Sequence, residues 1–169
     1  MLVVSISSIY VIVNILYFAN LIPPIPLSLK SAGVYHSLTR NKTGTYVAQA
    51  EKKSWLDYFS FHDTFHEAAN DSIYAYSAVF SPAEFNLGIV HEWQKFDGAS
   101  GQWITINRVN LSVSGGRENG YRTYSVKNNF TPGQWRINVK TSDDKIIGQL
   151  RFDVTQVDTE PALITEVLN

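Results

Sequence analysis

From residue 71 onward the chain alternates. In QWRINVKT, Trp135, Ile137 and Val139 fall on one side of an extended chain and Arg136, Asn138 and Lys140 on the other. That period of two marks a strand with one face in a core. GIVHEWQKF divides the same way, Ile89, His91 and Trp93 against Val90, Glu92 and Gln94, and KIIGQLRFDV turns Ile146, Leu150, Phe152 and Val154 inward. SIYAYSAVF, WITINRVNLSV and YRTYSVK have the β-branched and aromatic content of further strands, with turn residues in SPAEFN, DGASG, SGGRENG, NNFTPG and SDD between them. Upstream, YHSLTR and TYVAQAE flank NKTG and predict a hairpin. DTFHEAA, opened by Asp63, predicts a short helix. The sum is a mainly β chain, an immunoglobulin-like antiparallel β-sandwich of about seven or eight strands.

The N-terminus has a different pattern. No charged side chain precedes Lys30, and the residues from Leu2 to about Ala19 are nearly all apolar or small, close to the ~20 residues that cross a hydrocarbon core. Pro23, Pro24 and Pro26 end any helix there. The expectation is a transmembrane helix over 1–20, a proline-rich linker over 21–34, the sandwich over 35–156 and a polar tail over 157–169. A secretory signal peptide and a buried soluble helix are the alternatives. The first fits less well because there is no basic lead and no small-residue cleavage site.

Composition narrows the function. The chain has 169 residues, a formal net charge of -1 and no cysteine. Near-neutrality excludes the broad basic footprint of a nucleic-acid binder, and the missing thiols exclude disulfides and thiolate metal sites. Lys30, Arg40 and Lys42 follow the apolar segment, which by charge bias alone places the domain in the cytoplasm. Upstream spans would override that bias, and the expectation adopted is a bacterial cytoplasmic-membrane protein with its β-domain on the extracytoplasmic side.

The order YAYSAVFSPAEF, HEW, GGRENGYRTYS, then PGQWRINVKTSDDKIIGQLRFDV resembles the bacterial domain-of-unknown-function 2914 family over about residues 20–155, with NLIPPIPLSLK similar to its membrane-proximal lead-in. The resemblance implies a β-domain at the C-terminal end of a membrane protein, and no catalytic residue. A single apolar segment departs from the several spans such proteins often carry. The chain is then a C-terminal piece of a longer protein or a short member whose helical partners are other chains.

The candidate site residues follow from residue type. In GGRENGYRTYS, Gly115, Gly116 and Gly120 permit an excursion that aims Arg117 and Arg122 at one point beside Tyr121 and Tyr124. Paired guanidiniums match a carboxylate or phosphate; the competing reading is that they pin the loop. His91 and Trp93 either join that site at a strand end or lie in the core. His62 and His66, four residues apart on the predicted helix with Asp63 and Glu67 beside them, are the candidate metal ligands. They lack both the H-E-x-x-H order and a third ligand at a recognisable spacing, so no metal or other cofactor is expected. No G-x-S-x-G elbow or assembled triad is present. The expected function is a noncatalytic binding module, anchored in the bilayer through residues 1–20, that takes a polar, acidic or sugar-containing ligand through Arg117, Arg122, Tyr124, His91 and Trp93. The alternatives are an assembly domain docked on a membrane-protein partner and a metal-dependent enzyme using His62 and His66.

Overall fold

A computed structural model describes residues 2–19, 27–52, 63–68, 72–81, 88–112, 114–116 and 120–168. One helix, α1 (Leu2–Phe18), precedes β1 (Ser28–Tyr35), β2 (Ser37–Arg40), β3 (Tyr46–Glu51), β4 (Asp63–Glu67), β5 (Ile73–Phe80) and β6 (Ile89–Asp97). Then come β7 (Gln102–Leu111), β8 (Ser114–Gly116), β9 (Gly120–Lys127), β10 (Gly133–Thr141), β11 (Ile146–Gln156) and β12 (Leu163–Leu168). The protein is mainly β, as its alternation predicts.

The strands form three sheets, ordered β1-β5-β9-β8, β4-β11-β10-β6-β7 and β12-β3-β2. Alternation along β5 places the first of these in the middle. Its Ile73 and Ala75 share a core with Trp93, Trp135, Ile137 and Phe152 of the five-stranded sheet, and Val79 packs with Ile89 and Val139. On the opposite face, Tyr76 and Ala78 pack with Leu38, Tyr46 and Ala48 of the three-stranded sheet. A strand covered on both sides needs apolar or small residues at nearly every position, and IYAYSAVF supplies them. The core between the first two sheets is closed by aromatic edges: Phe130 meets Trp135 at 4.8 Å, and Trp93 meets Phe152 at 6.4 Å.

Four elements depart from the sequence expectation, which is why twelve strands are found among the described residues rather than seven or eight. Residues 28–34, expected as linker, form most of β1, paired with β5 from Ser28↔Phe80 to Tyr35↔Tyr74; Leu29 and Val34 pack on the core clusters. The expected helix after Asp63 is β4, parallel to β11, so the sandwich is not wholly antiparallel. Phe65 and Glu67 are buried on alternate positions, and tertiary pairing overrides a weak local helix preference. The expected tail carries β12, which pairs with β3 from Leu163↔Glu51 to Leu168↔Tyr46. The glycine-rich stretch contributes β8 and the start of β9. At Gly120 φ is +75° and an added Cβ would lie 3.1 Å from the Val79 carbonyl oxygen, so any other side chain there is strained.

Helix α1 has 17 residues, about 25 Å at 1.5 Å per residue, against about 30 Å of hydrocarbon in a bilayer. Among the described residues no helix is long and apolar enough to cross a membrane. Val3, Ile6, Tyr10, Ile15 and Phe18 are nevertheless exposed.

Candidate functional site: the polar face of the five-stranded sheet

The residues singled out from the sequence do not converge. His91 and Trp93 are fully buried between the two larger sheets. His91 Nε2 bonds Ser77 Oγ and Nδ1 bonds Ser125 Oγ, both at 2.8 Å, while Trp93 Nε1 donates to Ser125 Oγ at 3.1 Å. Burial pushes the His91 imidazole down to about 3, so the ring is neutral, with one nitrogen donating and the other accepting. These two residues brace the core and are closed to a ligand. Arg122 and Tyr124 lie on the other face of β9, toward the three-stranded sheet. The Arg122 guanidinium is 5.7 Å from the Tyr46 ring centre, and Tyr124 meets Tyr46 edge-on at 6.1 Å. Arg117 lies outside the described residues, as does His62.

His66 is on a strand, so the helical spacing proposed for a metal pair does not apply. Its Nδ1 is 2.6 Å from Glu51 Oε2, and His36 Nε2 is 3.0 Å from Glu51 Oε1. Burial pushes the Glu51 carboxyl up, but hydrogen bonds from His36 and His66 outweigh it and hold it below the usual range. Among the described residues no three side chains are grouped to hold a metal ion.

A site the sequence did not assemble lies on the outer face of the five-stranded sheet, opposite the core. Strand register sets its residues in rows. Arg108, Glu92, Asn138 and Gln149 are successive cross-strand neighbours, and so are Thr105, Gln94, Arg136 and Arg151. A bulge between Trp93 and Gln94 keeps β7 in step with both rows. Hydrogen bonds run across them: Gln94 Nε2 donates to Thr105 Oγ1 at 2.8 Å, Arg136 Nε to Gln94 Oε1 at 2.6 Å, and Gln149 Nε2 to Asn138 Oδ1 at 2.6 Å. Arg151 Nε continues to Gln149 Oε1 at 2.7 Å. The Arg136 guanidinium lies 4.3 Å over the Trp103 ring, which itself leans on Phe96 at 5.3 Å.

Charge on this face is unevenly matched. Glu92 is buried and bonded to Lys140 Nζ at 2.6 Å and Asn138 Nδ2 at 2.9 Å, with Arg108 Nε at 3.9 Å. Burial pushes its carboxyl up, yet the Lys140 and Asn138 hydrogen bonds and the nearby cations hold it below the ordinary range. Asp144 pairs with Arg108 and Lys140. No carboxylate pairs with Arg136 or Arg151 among the described residues. Desolvation, and then the charge of Arg151, lower the Arg136 guanidinium from its usual value. The sequence signal was the polar half of each alternation; only register shows that those halves form one surface.

The strands that build this face run from β6 to β11, and the family described as a protein of unknown function, DUF2914, matches residues 88–154. The DUF2914 region therefore holds Glu92, Gln94, Trp103, Thr105, Arg108, Arg136, Asn138, Gln149 and Arg151 together, and is narrower than the stretch of resemblance read from the sequence. No curated protein matches the chain. Among solved structures, the DNA-bound alkylpurine DNA glycosylase AlkC of Pseudomonas fluorescens is similar at 8% identity and a TM-score of 0.44, over 83% of this chain and 33% of that one. The chain thus spans about a third of the glycosylase. An immunoglobulin-like protein from Pseudomonas aeruginosa is similar at 10% identity and a TM-score of 0.42, over 79% of this chain and 99% of that one.

Proposed function

We propose that the protein is a noncatalytic recognition module, built on an immunoglobulin-like pair of facing sheets, that binds a polar, anionic partner on the outer face of its DUF2914 region. The observation that carries this reading is the hydrogen-bonded side-chain layer from Thr105 to Arg151, held on rigid strands. Side chains already fixed by their neighbours lose little entropy on binding, which favours recognition. The carboxylate of Glu92 is locked by its cations, which favours binding over catalysis. Helix α1 is apolar all round and exposed, a pattern that calls for an apolar phase; we place it in a bacterial membrane, with the β-domain held close to the bilayer.

Because the chain has no cysteine, single cysteines report cleanly on its surfaces. Thr105→Cys lies on the proposed face and Gly98→Cys in the turn after β6. Slow thiol labelling of the first relative to the second in cells, with the difference lost on purification, supports an occupied face. Equal ratios in cells and in solution contradict it. An impermeant reagent on the Gly98→Cys protein reads which side of the membrane the domain occupies.

A further inference from the structure

Arg136 and Arg151 are directly opposite each other on β10 and β11. Like charges in that position repel and destabilise a sheet, and the usual remedy is a carboxylate between them. None is supplied among the described residues: Asp153, two residues beyond Arg151, makes no ion pair with either guanidinium. Each guanidinium is instead oriented by a neutral glutamine through its Nε, Arg136 by Gln94 and Arg151 by Gln149. The terminal nitrogens of both, two on each fork, make no hydrogen bond to the described residues.

Resting on the recognition reading above, we infer that Arg136 and Arg151 form a site for a tetrahedral oxyanion of the phosphate-ester class. Four terminal nitrogens on two forks suit a group with three or more acceptor oxygens. A phosphate monoester, carrying about -1.5 to -2 charges at neutral pH, neutralises both arginines, whereas one carboxylate neutralises one. Neutral sugar stacking is disfavoured because one face of Trp103 is covered by Arg136 and Phe96 leans on the same ring. A cleft of about 300 Å³ between β1 and β11, lined by Gly33, Asp63, Gln149 and Arg151, gives the esterified group a place to lie. The same chemistry arises from a free phosphorylated molecule or from a lipid headgroup.

The experiment is thermal unfolding of the full chain in detergent, in inorganic phosphate against chloride of equal ionic strength, for the wild type, Arg151→Gln and Arg136→Lys. Phosphate raises the wild-type Tm beyond chloride. Arg151→Gln unfolds in chloride no lower than wild type, since repulsion is relieved, and binds phosphate about 10- to 100-fold more weakly, the loss expected for one charge-assisted fork. Arg136→Lys keeps the charge but loses the fork, and weakens phosphate in the same direction. No phosphate effect beyond chloride in the wild type, or an undiminished one in Arg151→Gln, overturns the inference. Co-sedimentation with phosphatidylcholine vesicles, with and without phosphatidate, separates the sources. A loss in Arg151→Gln confined to phosphatidate vesicles assigns a headgroup, and phosphate binding without that loss assigns a free ligand. If phosphate fails while Thr105→Cys stays shielded in cells, this inference falls and the recognition face stands; if phosphate binds and the shielding is absent, the reverse holds.

Discussion

Ser125 carries more than its size suggests, because its hydroxyl serves both His91 Nδ1 and Trp93 Nε1 inside the core. Ser125→Ala orphans two buried polar groups, and each such group costs about 1–3 kcal/mol; urea unfolding should show a loss in that range or above it. His91 gives the protein a pH dependence of definite sign. Its folded value is lowered from 6.5 to about 3, so between those limits the unfolded chain binds a proton that the folded chain does not. Stability therefore falls as pH drops from about 6.5 toward 3, by at most ~1.4 kcal/mol per pH unit from this group. His91→Gln should flatten the slope between pH 6.5 and 5, and an unchanged slope would remove His91 as its origin. The buried reading of His91 and Trp93 was open in the sequence because both share a face with Ile89. Their polar partners were not legible, since Ser77 and Ser125 lie on a different sheet.

At the scale of elements, the legible strands were those with one face in the main core and strong alternation, β6, β10 and β11 above all. The strands that were missed draw their definition from partners far along the chain. β4 pairs in parallel with β11, and SLKSAGVY of β1 alternates weakly because Lys30 sits in a bulge between Leu29 and Ser31. The recognition face failed to emerge for a related reason: each strand shows a polar half, but only register places Arg136 against Arg151. Glu51 ties β3 to β4 through His66, whose backbone N–H and Nδ1 both meet the carboxylate at 2.6 Å. Glu51→Ala should speed amide hydrogen exchange across residues 63–67 while leaving 135–139 protected. Exchange that rises equally in both would mean the clamp supports the whole fold rather than this edge.

For the whole molecule, three β layers stack with the β1-β5-β9-β8 sheet at the centre, and no other described strand covers the outer face of the DUF2914 region. Helix α1 stands apart in character, with exposed apolar side chains that water does not favour. Removing residues 2–19 should yield a β-domain that stays monodisperse without detergent in size-exclusion chromatography, while the full chain requires detergent or lipid; a full chain equally monodisperse in plain buffer would count against the membrane reading. The claim that matters most is which face meets the partner. The measurement that tests it most directly is photocrosslinking in cells, with the photoreactive residue at Gln134 on the polar face of β10 or at Val126 on the face of β9 that carries Arg122 and Tyr124. A discrete adduct from position 134 and none from position 126 is the predicted result. An adduct from position 126 alone would move recognition to the Arg122 and Tyr124 side and contradict the account.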